Sequence, residues 1–363
     1  MKSGLKESRF YGLVTGLLAF AMGCAMVVLL LGTVEAALRV KAHFRNASAD
    51  DLKVSDRGRY TDINTPLGFR PCPNVTIHER AARGDHPIYE VDYSIDDHSR
   101  RVTPCDSPET RDHVAAFFGC SFTFGNGVRD NETLPARFAA HCPGYLPVNF
   151  AYTAYGPQQM WLQLNKLEVL KALPAKRGAV IYAFIDHHLG RLVGSPDVMV
   201  LWGCSMPWLR WEGGKMEWAG TFQDRYLAQP FWMRWSEGLH LLKFLENRMP
   251  LRRDAVASGD AATLLVRLLQ ECADSIAKSS PDLKFCFMLY PGTPQACCED
   301  LRARLKGCKG ITLLDYSRLL VDSRVPTAEL WYDDCASTAW GHPRALTCDM
   351  VAQKLAGDIG DCR

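Results

Sequence analysis

A serine and a histidine that lie far apart in the chain are the residues best suited to chemistry. Ser121 sits in Phe117-Phe118-Gly119-Cys120-Ser121-Phe122-Thr123-Phe124-Gly125, where the apolar run Val114 to Phe118 stops abruptly at a glycine. That layout predicts a buried strand delivering a small hydroxyl to the carboxyl edge of a parallel sheet, the edge at which open α/β folds bind ligands. A serine hydroxyl is a poor nucleophile until a base removes its proton, and the base needs an orienting partner. His342, in Gly341-His342-Pro343 ahead of a helix-like C-terminal segment, is the candidate base. The chemistry would be acyl transfer through a serine ester.

Two further elements belong to the same edge. Asn149-Phe150-Ala151-Tyr152-Thr153-Ala154-Tyr155-Gly156-Pro157 follows the next apolar segment, and the Gly156 amide is a candidate oxyanion donor. Read alone, the same residues are an ordinary Gly-Pro helix start. Phe184-Ile185-Asp186-His187-His188 closes the third apolar run and places polar groups at that edge. Adjacent histidines on an extended chain point to opposite faces and come with no acidic or cysteine ligand set, so no metal is expected.

The elements that must position these groups follow from periodicity. Near-continuous apolar runs at 113–119, 146–151, 178–186, 283–290 and 310–316 read as strands covered on both faces. Helical patterns fill the intervals at 130–140, 158–173 and 260–278. The alternation implies a three-layer αβα, flavodoxin-like domain with a five-stranded parallel sheet. Residues 59–104 carry two alternating segments, Asn74 to His78 and Ile88 to Tyr93, around Arg83-Gly84-Asp85, and read as a small β extension packed on that domain. Residues 194–259 interrupt the rhythm and hold six of the nine tryptophans: Trp202, Trp208, Trp211, Trp218, Trp232 and Trp235. A hairpin around Gly213-Gly214 is expected there, either as a lid or substrate platform or as a satellite core.

Residues 1–10 are a short tail, and Tyr11 to Val34 carry no charge. About 20 apolar residues span a bilayer as a helix, so 11–34 reads as a transmembrane anchor, followed by a polar stalk at 35–58. A signal peptide is the competing reading, although its apolar region is usually only about 7–15 residues. Basic residues flank the span on both sides, so the positive-inside rule does not orient it. Of 14 cysteines, 13 lie beyond the span. That density suits an oxidising, extracytoplasmic compartment, with twelve cysteines able to form six disulfides once Cys120 is set aside, and a set of reduced, buried cysteines is the competing reading. Vicinal Cys297-Cys298 is expected to bond outward. Net charge is +2, which leaves no electrostatic case for nucleic acid.

In the order of its blocks the chain resembles the SGNH/GDSL hydrolase superfamily over about residues 113–360. Gly119-Cys120-Ser121-Phe122 corresponds to the Gly-Asp-Ser-Leu block, Gly156 to the second-block glycine, 184–188 to the Gly-x-Asn-Asp block, and His342-Pro343 to the last block. The extension and the wording Gly-Cys-Ser-Phe-Thr-Phe-Gly-Asn-Gly-Val resemble bacterial membrane-anchored members, whose relatives include esterases and carbohydrate O-acetyltransferases. The resemblance implies Ser121 as nucleophile, His342 as base, and the amides of Ser121 and Gly156 as oxyanion donors, with no cofactor.

There are three departures from the pattern. Cys120 replaces the aspartate of the first block. Asp186 or His187 stands where the third block has asparagine, and of these only His187 could donate to an oxyanion. The acid position three residues before the histidine is Ala339, leaving Asp333 or Asp334 to substitute if the loop folds back. The expected activity is a serine esterase acting on an ester-bearing glycan or lipid outside the cytoplasm. The alternatives are an O-acetyltransferase by the same mechanism, a degenerate glycan-binding protein, and a structural envelope protein.

Overall fold

A computed structural model describes residues 2–47, 52–54, 60–195, 198, 203–228, 241, 258–334 and 341–359. Two compact units divide the chain: Met1–Asp50 with Gln229–Arg253, and Asp51–Ala228 with Asp254–Arg363.

The first unit contains helix α1 (Lys2–Ala47). Its stretch Thr15–Lys41 is long and apolar enough to cross a membrane, a test that a signal sequence near an N-terminus also passes. The helix runs on through Glu35–Ala47, where the sequence pattern suggested a stalk. That segment holds neither Gly nor Pro, and an i,i+4 pair joins Arg39 to Glu35 at 2.7 Å. The other stalk residues, 48–51 and 55–59, lie outside the described residues.

The second unit opens with strands β1 (Leu52–Val54), β2 (Thr61–Asp62), β3 (Arg70–Pro71), β4 (Thr76–Arg83) and β5 (His86–Ser94). β4 and β5 form the expected antiparallel hairpin, β1 adds to its edge, and β2 pairs with β3. The alternating faces of the hairpin put Ile77, Ala81, Val91 and Tyr93 into the main core.

The chain continues through β6 (His113–Phe118), α2 (Ser121–Phe124), α3 (Leu134–His141), β7 (Tyr145–Asn149), α4 (Pro157–Asn165), β8 (Gly178–Phe184), α5 (His187–Val193), β9 (Pro207–Glu212), β10 (Lys215–Thr221), α6 (Phe222–Ala228), α7 (Ser258–Ser279), β11 (Leu283–Leu289), α8 (Gln295–Leu305), β12 (Ile311–Asp315), α9 (Leu319–Ser323), α10 (Thr327–Leu330) and α11 (Ala345–Ile359). Five strands form one wholly parallel sheet in the order β12-β11-β8-β6-β7. Their apolar runs serve two cores at period two. Ala116, Phe118, Val180, Tyr182, Phe184, Phe285 and Phe287 face one side. Ala115, Phe117, Ala179, Ile181, Ala183, Cys286 and Met288 face the other. Helices cover both faces, as expected for the αβα class.

Two predicted helices are shorter than expected. The 130–140 segment splits into a 3-10 turn at Asp130–Glu132 and helix α3, because Thr133 takes the cap position and accepts from the Ala136 amide at 3.3 Å. The 158–173 segment ends at Asn165, and Glu168 adopts a left-handed conformation, φ 49°, before a 3-10 turn.

The β9–β10 hairpin forms as expected around Gly213-Gly214. Leu209 and Met216 are buried in the main core, and Glu271 of α7 accepts from both the Trp161 indole and the Met216 amide. Trp211 packs under Arg267 at 4.9 Å. The hairpin is therefore a satellite of the helical layer. Trp202, Trp232 and Trp235 lie outside the described residues.

The six-disulfide expectation is corrected. Eleven of the described cysteines, among them Cys297 and Cys298, form no disulfide. Cys142 is the one described cysteine that is disulfide-bonded. Cys272, Cys286, Cys298 and Cys348 are buried and serve as small apolar core residues.

Candidate active site

The site sits at the carboxyl edge of β6, which lies between β8 and β7 in the sheet. β6 ends at Phe118, and Gly119 turns the chain with φ 154°. A Cβ there would run into the Thr123 hydroxyl and lie 3.2 Å from the Ala183 carbonyl, and the backbone conformation itself is one that favours glycine. Ser121 opens the short helix α2, and its carbonyl accepts from the amides of Gly125 and Asn126 at 2.9 and 3.0 Å. The serine is 5% exposed.

A buried arginine that the sequence pattern did not single out holds this turn. The Arg101 guanidinium donates to the carbonyls of Phe124, Gly125 and Val128 at 2.9, 2.5 and 2.6 Å and to Asp130 at 2.9 Å. It lies over the rings of Tyr93 and Phe124. The Asn149 amide donates to the Thr123 carbonyl at 3.0 Å. From the β extension, Tyr93 accepts from the Gly127 amide at 2.9 Å and donates to buried Glu79 at 2.6 Å.

The histidine loop closes on itself. Trp331 and Pro343 form an antiparallel bridge, and the Tyr332 amide donates to the His342 carbonyl at 2.9 Å. This brings Asp334 back to His342 although the two lie eight positions apart in the chain. The carboxylate accepts from the His342 backbone amide at 2.8 Å and from ring Nδ1 at 2.7 Å. Burial pulls the Asp334 carboxyl upward, but the hydrogen bonds and charge of His342 outweigh it and hold the group below the usual carboxylate range. Gly341 makes the return possible, since a Cβ there would collide with the Tyr332 carbonyl and the Asp334 carboxylate. Asp333, the other candidate, is exposed and pairs with Arg83 at 3.0 Å. Ala339 lies outside the described residues.

Since Asp334 accepts at Nδ1, a neutral His342 carries its proton there and presents a lone pair at Nε2. That nitrogen faces the Asn126 amide nitrogen at 3.3 Å, and the Asn126 carbonyl oxygen accepts from the Thr153 hydroxyl at 3.0 Å. Among the described residues no hydrogen bond joins Ser121 to His342. The two are neighbours through Phe122, whose ring lies edge-on to the imidazole at 5.8 Å.

The remaining candidates are placed as follows. The Gly156 amide donates to the Gln159 side chain at 2.8 Å in a capping arrangement at the start of α4. His187 is exposed at the start of α5, and Asp186 precedes it half-buried. His188 is wholly buried and bonded through Nδ1 to the Tyr182 hydroxyl at 2.8 Å. Burial, helped by Arg191 and His187, pushes the His188 pKa well below the usual imidazole value. Two concavities, of about 570 and 330 Å³, are lined by residues of the β extension, of strand β7 and of segments 96–104, 129–131 and 172–174, and neither includes Ser121 or His342.

Sequence reasoning missed Arg101, Asn126 and Thr153. Asn126 had one signal: it is a polar residue between Gly125 and Gly127 in a turn that follows a buried strand.

No protein-family model and no curated protein matches the chain. Solved structures do. A member of the lipolytic protein G-D-S-L family from Veillonella parvula is 9% identical, with TM-score 0.38, over 68% of this chain and 98% of its own. An extracellular lipase from Streptomyces rimosus is 13% identical, with TM-score 0.39, over 68% and 99%. A family two carbohydrate esterase from Clostridium thermocellum, solved with cellohexaose, is 11% identical, with TM-score 0.37, over 71% of this chain and 65% of its own.

Proposed function

We propose that this chain is a serine ester hydrolase in which Ser121 is the nucleophile, His342 the base and then the acid, and Asp334 the residue that orients the imidazole. The observation that carries the reading is the buried Asp334 carboxylate, bonded to Nδ1 of His342 at 2.7 Å beside the Ser121 turn. Such a pair fixes the tautomer in which Nε2 can take the serine proton, and it stabilises the imidazolium that results. Ser121 attacks the ester carbonyl, and His342 passes the proton to the departing alcohol. Water then releases the acid, or a sugar hydroxyl takes the acyl group. The Ser121 amide serves the oxyanion. Gly156 joins it once Gln159 gives up that amide, an adjustment of the kind that free enzymes commonly make on binding substrate. The α1 helix favours a substrate at a membrane surface, and an acylated glycan or lipid outside the cytoplasm fits it.

The second reading, a glycan-binding protein on a degenerate frame, is favoured by the engaged Gly156 amide and by exposed His187. Turnover of p-nitrophenyl acetate by the full chain in detergent, beside Ser121→Ala, separates the two. Hydrolase chemistry predicts a loss of at least about 10³-fold in the variant. Equal rates in both proteins, on acetylated glycans as well, would leave the binding reading.

A further inference from the structure

We infer that Asn126 is a catalytic residue of this site, a side-chain donor to the ester oxygen that exchanges its proton with His342. The inference rests on the hydrolase reading above.

Three observations converge on it. Asn126 is 2% exposed, so its side-chain amide is held away from solvent. Its backbone amide is bonded to the Ser121 carbonyl at 3.0 Å, so the residue travels with the nucleophile turn. Its side chain bridges Thr153, in the segment between β7 and α4, and the base. The carbonyl oxygen takes the Thr153 hydroxyl at 3.0 Å, which turns the amide nitrogen toward Nε2 of His342 at 3.3 Å.

Position decides which oxygen is served. In acyl-enzyme formation Nε2 gives its proton to the leaving alcohol oxygen, and in the second half it takes one from the incoming water or hydroxyl. A donor beside Nε2 therefore meets the leaving and entering oxygen, whereas the carbonyl oxyanion develops on the side of the Ser121 and Gly156 amides. In the free protein the Asn126 N–H caps the lone pair of the base. When an ester arrives, that donation passes to the alkoxy oxygen, and Nε2 is released to accept from Ser121. The C–O bond to the alcohol breaks as His342 protonates that oxygen, and the Asn126 hydrogen bond steadies the charge on it in the meantime. A donor already fixed in place costs no reorganisation at that moment.

The test compares two leaving groups. p-Nitrophenolate departs without help, and an alkyl or sugar alkoxide does not. The quantity is kcat/KM, which reports acylation, for the full chain and for Asn126→Ala, on p-nitrophenyl acetate and on an acetylated monosaccharide. The expected result is a loss on the sugar ester at least about tenfold greater than the loss on the aryl ester. Thr153→Val, which removes the hydroxyl that the Asn126 carbonyl oxygen accepts from, should show the same skew to a smaller degree, and it stands in if Asn126→Ala fails to fold. An equal loss on both esters, or no loss on either, overturns the inference while leaving a Ser121-dependent hydrolase. If Ser121→Ala keeps full turnover, the hydrolase reading itself fails, and the role of Asn126 falls with it.

Discussion

At the scale of the residue, the site depends on which of two adjacent aspartates faces inward. Asp334 meets both the ring and the backbone of His342, and Asp333 meets Arg83 at the surface. Asp334→Asn keeps the shape but offers an amide where Nδ1–H needs an acceptor, which favours the wrong tautomer. In a serine protease of the Ser-His-Asp type the equivalent change drops kcat about 10⁴-fold. We expect at least about 10²-fold here, with Asp333→Ala within about threefold of wild type. Matched losses in the two variants would contradict the assignment. The sequence could not choose between them. The acid position of the superfamily falls on Ala339, and only the antiparallel return between Trp331 and Pro343 brings a more distant carboxylate to the ring.

At the scale of the element, the five sheet strands were legible because each is a near-continuous apolar run, and the glycine that ends the run Val114 to Phe118 sets Ser121 at their carboxyl edge. The brace on the nucleophile turn was not legible. Arg101 sits in Asp96-Asp97-His98-Ser99-Arg100-Arg101, a charged run that reads as solvated surface, and its burial follows only from tertiary packing. The β4–β5 hairpin likewise reads as an accessory, yet it touches both halves of the site. Tyr93 holds the Gly127 amide, and Tyr89 meets the ring of Tyr332 at 5.2 Å. Arg101→Met would take a donor from three buried carbonyls and from Asp130, which keeps the Ser94 amide at 3.3 Å, and should cost about 3–5 kcal/mol in urea unfolding. Tyr93→Phe should cost about 1–3 kcal/mol, because Glu79 and Gly127 each lose a partner. Unchanged midpoints would mean that the hairpin does not brace the turn.

At the scale of the whole molecule, one buried group gives the fold a pH dependence. His188 stays neutral in the folded state, and its folded pKa lies well below the 6.5 of an exposed imidazole. The unfolded chain therefore binds the extra proton. Stability from this source is complete above about pH 6.5 and falls as the pH drops below it, by up to about 1.4 kcal/mol per unit. His188→Gln, which retains a partner for Tyr182, should flatten that slope between about pH 6.5 and 5 in denaturant titrations. An unaltered slope would place the acid sensitivity elsewhere. Carboxylates such as Asp334, with depressed pKa, add their own loss only at lower pH.

The measurement that bears most directly on a Ser121–His342–Asp334 acyl-transfer site is intact-mass and peptide mapping after treatment with diisopropyl fluorophosphate. The account predicts one adduct, on the peptide carrying Ser121, as the serine oxygen displaces fluoride. The adduct should be absent in Ser121→Ala and form at least about 10²-fold more slowly in Asp334→Asn, because the attacking oxygen needs the oriented base. No adduct on the folded wild-type chain, or an adduct that forms equally fast without Asp334, would contradict it.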